Sequence, residues 1–351
     1  MRHPEYQGGP LSAGALLWNT DEPVHKSAPR PVTLHSCLHQ VRPGLSYLRE
    51  SLKLSVRAGV HHGATRIWLP YWNSSPLLSE LARAQPGVLK KIYRPYLSRR
   101  LRCAERLDVL TSHYARIALC GLGELVLRAA RAPVRLTELT GKSGQAYQLE
   151  LVAMERMERE GELVLQLASG GVVLFSVAFT FLIQDGSPAV AIGCLQGGRA
   201  DDALELIRSA TRELHGLRPK TLMVRLVQQI GRQFGCHDLL LVGNDNRVVQ
   251  QQLRKGLVMA DYDSTWVELG ASRRYDGDFR LPCAALAEPE LAAIASNKRS
   301  EAKKRFALLT AVAGATCAAL LPVQAGSPGR TAPAQTNMSA LTKYLRANLS
   351  N

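Results

Sequence analysis

Apolar residues recur at spacings of three and four from residue 46 to about 130, and then at every second position. "SYLRESLKLSVRAGV", "SPLLSELARA" and "LDVLTSHYARIALCGLGELVLRAA" carry the first period and predict a run of helices. Ser75 followed by Pro76 reads as an N-cap with proline at the first helical position. From about residue 134 the period is two. Tyr147, Leu149 and Leu151 alternate with Gln148 and Glu150, and Leu163, Leu165 and Leu167 share one face beyond a turn at Gly161. "VVLFSVAFTFLI" is apolar on both faces, as a covered central strand would be, and "AVAIGCL" returns after "QDGSP". These segments predict a four-strand antiparallel meander. The helical period then resumes at Leu204, Ile207, Thr211 and Leu214. After "HGLRP" it runs from about Pro219 to Phe234, with Gly235 as C-cap. "HDLLLVGN" predicts a buried strand and "RVVQQQLRKG" a short helix. "LVMADYDSTWVELG" predicts a strand, a turn and a brief helix, and "YDGDFRLP" a final edge hairpin.

The expected fold class is α/β (α+β), a helical N-terminal part followed by a mixed, mostly antiparallel sheet. Four regions follow. Residues 1–45, rich in proline, are an irregular lead-in. Residues 46–133 are a helical basic region, 134–309 the α/β core, and 310–351 an apolar helix with a flexible tail. The run "FALLTAVAGATCAALL", residues 306–321, is uncharged but shorter than the ~20 residues that span a bilayer. It predicts a packed or interfacial helix.

Charge changes the picture of what the protein meets. The formal net charge is +15, which favours polyanions such as an anionic membrane surface, an envelope component or nucleic acid, without choosing among them. The basic residues cluster at Lys90, Lys91, Arg94, Arg99, Arg100, Arg102 and Arg106, interleaved with Tyr93 and Tyr96. A second cluster is Lys298, Arg299, Lys303, Lys304 and Arg305. Aromatics among basic residues can stack bases or rest at a membrane surface. The 7 cysteines are widely spaced with no CxxC, which favours buried thiols over a disulfide framework or a zinc site. The N-terminus lacks a basic region followed by a sustained apolar run, so the expected location is the cytoplasm, with the periphery of the inner membrane as the alternative.

Candidate chemistry is sparse. No GxSxG, HExxH, Walker or kinase motif is present, and His61-His62 lack a third metal ligand. No metal site is expected. His113 reads as a structural histidine on a helix. Asp261-Tyr262-Asp263 could hold a divalent metal, but capping by Asp263 or Thr265, with Thr265-x-x-Glu268 as a capping box, is the better reading. The turn at Gln196-Gly197-Gly198 leads a strand into a helix, where unpaired amides could bind an anion. There the chain resembles, in topology, the Gcn5-related N-acetyltransferase fold, whose turn seats coenzyme A. Asp201 and Asp202 oppose a pyrophosphate at that helix start. Acyl-coenzyme A is therefore the one cofactor left open, and no motif requires it. The ligand-binding candidates, at strand ends and loops, are Gln196, His215, Arg218, Lys220, Asn244, Asp261, Asp263 and Trp266.

Several segments in register resemble the VirK/YbjX family of Gram-negative bacteria: "RPYL", "RLDVLTSHY", "IGCLQG", "LHGLRPKTLM", "GNDNRV", "ADYDSTWVELG", "DGDFRLP" and "KRSEAKKRFALL". That family usually carries Ser-Asn where this chain has Gly243-Asn244. The resemblance implies an accessory role in stress responses, including DNA damage, antimicrobial-peptide resistance and virulence, with no assigned reaction. Two alternatives stand beside it: an active acyltransferase on a lipid or envelope precursor, and a non-catalytic binder of nucleic acid or anionic surfaces.

Overall fold

The helical half comes first and its caps are local. The computed structural model describes residues 31–38, 41–153, 157–198, 202–249 and 260–321. Helices α1 (Leu45–Val60), α2 (His62–Asn73) and α3 (Pro76–Ala84) lead to a 3-10 turn over Pro86–Tyr93, then α4 (Cys103–Leu119) and α5 (Gly123–Arg131). Ser75 caps α3 as expected: its hydroxyl accepts the Leu78 N–H at 3.2 Å, with Pro76 in the first turn.

Eight strands form one sheet in the order β1-β2-β3-β4-β5-β6-β8-β7. They are β1 (Val134–Thr140), β2 (Ala146–Ala153), β3 (Leu163–Ser169), β4 (Val172–Gln184), β5 (Ser187–Gly197), β6 (Asp238–Leu241), β7 (Ser272–Arg273) and β8 (Phe279–Pro282). The meander has one strand more than the periodicity predicted, because "VRLTELT" pairs with β2 as an edge with its side chains mostly outside the core. Only β5 and β6 pair in parallel among the described strands. Their crossover is α6 (Ala203–Glu213) and α7 (Pro219–Gln233), and Gly235 at φ 70° follows the end of α7. Helix α8 (Tyr262–Glu268) follows β6. The helix and strand expected over 247–260 lie mostly outside the described residues. The fold class is the one expected: helices, then a mixed and mostly antiparallel sheet.

The chain closes with α9 (Ser296–Ala319), which lies against α7 and the β1 edge. It crosses residue 309 without a break, so the apolar run is the second half of one helix whose first half is basic. Ala302, Leu309, Val312, Ala313 and Thr316 form its buried stripe. No helix among the described residues is long and apolar enough to cross a membrane.

Helices and sheet share one hydrophobic core, and a buried polar knot joins them. Lys91, from the 3-10 turn, donates to Glu162 Oε1 at 2.6 Å, and both side chains are within 1% of full burial. Tyr114 of α4 donates to Glu162 Oε2. Tyr96 and Thr180 share a hydrogen bond at 2.8 Å, and Thr180 Oγ1 also accepts the Glu162 N–H at 3.1 Å. Lys91 was expected on an anion-binding surface. That expectation is corrected: its ammonium is sealed against a carboxylate. Tyr93 and Tyr96 are buried too, so neither can stack a base.

His113 is adjacent and fully buried. Its Nδ1 accepts the Phe181 N–H at 3.1 Å, which places the proton on Nε2, where no partner is found. Burial, and then the charge of Lys91, push its pKa down to about 3. It is structural, as expected, but only half satisfied.

Two outcomes follow. Lys91→Met should cost about 3–5 kcal/mol, because it leaves the Glu162 charge uncompensated, and Lys91→Met/Glu162→Leu should recover most of that loss in urea unfolding. A double variant no more stable than the single one would refute this. As pH falls from about 6.5, the unfolded histidine takes up a proton that the native one refuses until about 3. Wild-type stability should therefore decline through that window more steeply than that of His113→Asn, read as urea midpoints at stepped pH. Equal slopes would refute it.

Candidate functional site

The single parallel pair creates a switch point, where ligands of open α/β sheets usually settle. Strand β6 ends at Leu241 while β5 continues to Gly197. A bulge at Gly193 marks the divergence: Ala178 faces Cys194, but Phe179 faces Ile192. Only glycine fits here, since a Cβ at Gly193 would lie 2.0 Å from the Glu160 carbonyl oxygen. Beyond the bulge the β5 edge facing β6 has no strand partner among the described residues. Tyr262 takes it instead. Its hydroxyl accepts the Leu195 N–H at 2.6 Å and donates to the Leu195 C=O at 2.7 Å.

Tyr262 is itself wedged. The Arg247 guanidinium lies 3.7 Å from its ring centre, and Trp266 meets it edge-on at 5.4 Å. Arg247 also donates to the Ala260 C=O at 3.0 Å. Cys194 and Glu160 complete the filled gap. Burial is the main influence on both: it pushes the Cys194 thiol well up and raises the Glu160 carboxyl. A protonated thiol is a poor nucleophile.

Above the gap, three loops tie together. The Asn244 N–H donates to Asp263 Oδ1 and its Nδ2 to Asp261 Oδ1, both at 2.7 Å, while its Oδ1 accepts the Tyr262 N–H at 2.9 Å. Asn246 Nδ2 and the Gly243 N–H both reach Asp278 Oδ1 at 2.8 Å. Arg100 donates to the Asp276 C=O at 2.9 Å, and the Arg99 N–H to the Asn246 C=O at 2.8 Å. Hydrogen bonds from Ser264 and then Asn244 hold the Asp261 carboxyl below the usual range, whereas burial raises Asp278. Asp261 is the N-cap of α8, accepting the Ser264 N–H at 3.2 Å. This corrects the expectation of Asp263 or Thr265: Asp263 is committed to Asn244, and Thr265 donates to the Asp261 C=O. No group of His, Cys, Asp or Glu among the described residues is arranged to hold a metal.

The predicted site residues therefore divide. Asn244, Asp261 and Asp263 meet directly. Trp266 is near them but fully buried, donating to the Val242 C=O at 2.9 Å, which corrects the expectation that it contacts a ligand. Arg218 and Lys220 both pair with Glu268, the last residue of α8. His215, at φ 56°, faces Glu301 of α9 at 3.7 Å. Gln196 ends a polar row that crosses four strands, Glu150–Gln166–Ser176–Gln196, in which the buried Gln166 Nε2 lacks a partner. The Gly197-Gly198 turn serves the sheet: the Gly198 N–H donates to the Leu174 C=O at 2.8 Å. Residues 199–201 lie outside the described residues.

The basic cluster is thinner than its sequence implied. Arg94 pairs with Glu158 at 2.8 Å, and Arg106 donates to the carbonyls of Arg94 and Arg102. Arg99, Arg100 and Arg102 are exposed and Lys90 is half-buried. Sequence reasoning missed Glu160, Glu162, Cys194 and Arg247, because a lone acid in a turn or a cysteine in an apolar strand carries no local signal.

Gly243 is packed too closely to admit a side chain. A Cβ there would lie 2.1 Å from the Gly277 carbonyl oxygen. Gly243→Ser should therefore destabilise by about 1–3 kcal/mol in urea unfolding. Unchanged stability would show that the 274–278 turn yields without cost.

A family model described as "Protein of unknown function (DUF535)" matches residues 43–318. The uncharacterized protein YbjX of Escherichia coli is 30% identical over 280 residues, covering 78% of this chain and 84% of that protein. An uncharacterized protein of Haemophilus influenzae is 24% identical over 78% of this chain and 91% of its own length. A protein of Mannheimia haemolytica named membrane protein LapB is 25% identical over 56% of this chain and 83% of its own length. Among solved structures, a cAMP-binding acyltransferase from Mycobacterium smegmatis matches 60% of this chain and 61% of its own at 11% identity and a TM-score of 0.25, too distant to carry an argument. On the family match and the YbjX similarity, the chain belongs to the DUF535, or VirK/YbjX, family.

Proposed function

We propose that this chain is an accessory protein of the bacterial stress response, in the range associated with its family: DNA damage, antimicrobial-peptide resistance and virulence. In this reading the acetyltransferase-like core is a binding scaffold that does not turn over acyl-coenzyme A. The protein works in the cytoplasm, at or near the inner membrane, with an anionic partner suited to its net charge of +15.

One observation carries the reading. The strand edge a pantetheine-like ligand would need is already satisfied by Tyr262, whose hydroxyl bonds both Leu195 main-chain groups. Two others support it. The Gly198 amide is spent on Leu174, and the one cysteine in the gap is held as a neutral thiol. A second reading, an active acyltransferase on a lipid or envelope precursor, draws support from the unpaired amide of Gln166, a buried donor two strands away from Gln196 in the same polar row.

Calorimetric titration with acetyl-coenzyme A separates the two. The scaffold reading expects no binding heat and no thermal shift from wild-type protein. Saturable binding with release of free coenzyme A would replace it with the acyltransferase reading.

A further inference from the structure

Helix α1 is built the wrong way round for a helix of a self-contained globular protein. Leu54 is buried on the body, with Tyr47 and Ala58 half-buried beside it. On the opposite side Leu45, Leu48, Leu52, Val56 and Val60 recur at spacings of three and four. They are 86%, 63%, 67%, 56% and 73% exposed. These five are nearly half of the large hydrophobic residues that are exposed among the described residues. Scattered exposed aliphatics need no explanation, but a continuous stripe of them at helical period marks an interaction face.

The charges beside the stripe select its occupant. Arg49, Lys53 and Arg57 follow it along one edge, and Arg42 precedes the helix. The one acid of α1, Glu50, is already engaged by Lys53 at 2.9 Å and Arg49 at 3.9 Å. Lys90 of the neighbouring turn lies close enough to help hold the Glu50 carboxyl low. The opposite edge carries only Ser51 and Ser55. A second copy packed antiparallel on this stripe would set like charges against each other, and one packed parallel would leave the basic edge facing only Ser51 and Ser55. An anionic bilayer surface instead supplies acyl chains for the aliphatics and phosphates for the basic edge. Such a helix lies flat in the interface, and its 16 residues would extend about 24 Å along it.

We infer that α1 is a membrane-docking helix for anionic phospholipid. It inserts Leu45, Leu48, Leu52, Val56 and Val60 among the acyl chains, while Arg49, Lys53 and Arg57 contact headgroup phosphates. This surface is separate from the β5/β6 gap and stands whether that gap binds a ligand or not.

The test is flotation of the full chain with vesicles of phosphatidylcholine alone or mixed with phosphatidylglycerol. Wild-type protein should float with the mixed vesicles and far less with phosphatidylcholine. Leu48→Ser/Leu52→Ser/Val56→Ser should lower partition at least tenfold, with an unchanged melting temperature because these side chains make no core contacts. Arg49→Gln/Lys53→Gln/Arg57→Gln should abolish the preference for phosphatidylglycerol. Three results would overturn the assignment: no flotation of wild type, flotation unaffected by the serine variant, or a vesicle-indifferent dimer that the serine variant dissociates, which would make the stripe a contact between copies.

Discussion

The ion pair between Lys91 and Glu162 is the constraint around which the two halves of the molecule are organised. Each charge would be costly to bury alone, and each is tolerable only because the other is 2.6 Å away and Tyr114 completes the carboxylate's contacts. Lys91 comes from the helical half and Glu162 from the turn that opens β3, so the pair closes only when both halves are in place. Tyr96, Thr180 and His113 extend the contact into β4, which has nine consecutive buried residues. Two segments that resemble the family, "RPYL" and "RLDVLTSHY", thus have a physical role. They carry Tyr96, His113 and Tyr114 into this knot.

Three other segments of the resemblance meet at the rim of the β5/β6 gap. "GNDNRV", "ADYDSTWVELG" and "DGDFRLP" supply Asn244, Asn246, Asp261, Asp263 and Asp278, which hydrogen-bond one another across three loops. The bulge at Gly193 opens a gap of the kind that holds a ligand in open sheets, and Tyr262 with Arg247 fills it. The shape of the rim is set by side chains that occupy the space beside the β5 edge.

Two apolar helices show how far hydrophobicity alone misleads. The long uncharged run at 306–321 looks like the membrane-facing element, yet Leu309, Val312 and Ala313 spend it on α7 and β1. Helix α1 is more polar along the chain, but five of its six leucines and valines face outward. The difference lies in which side of each helix the body occupies.

Periodicity determined the fold class, because a switch from spacings of three and four to two reflects which side chains can share a face, and that is local. It placed most of the helices, the meander, the Ser75 cap and the crossover, and missed α2, the basic first half of α9 and the edge strand β1, whose side chains are mostly outside the core. The site was legible only in part. Asn244, Asp261 and Asp263 were named and do meet, but His215, Arg218, Lys220 and Gln196 were dispersed to other partners, and Lys91 and Trp266 were buried. Those outcomes depend on contacts between residues tens of positions apart, Lys91 with Glu162 and Leu195 with Tyr262 among them. No spacing along the chain encodes such contacts, because they exist only once the sheet has brought its strand ends and loops together.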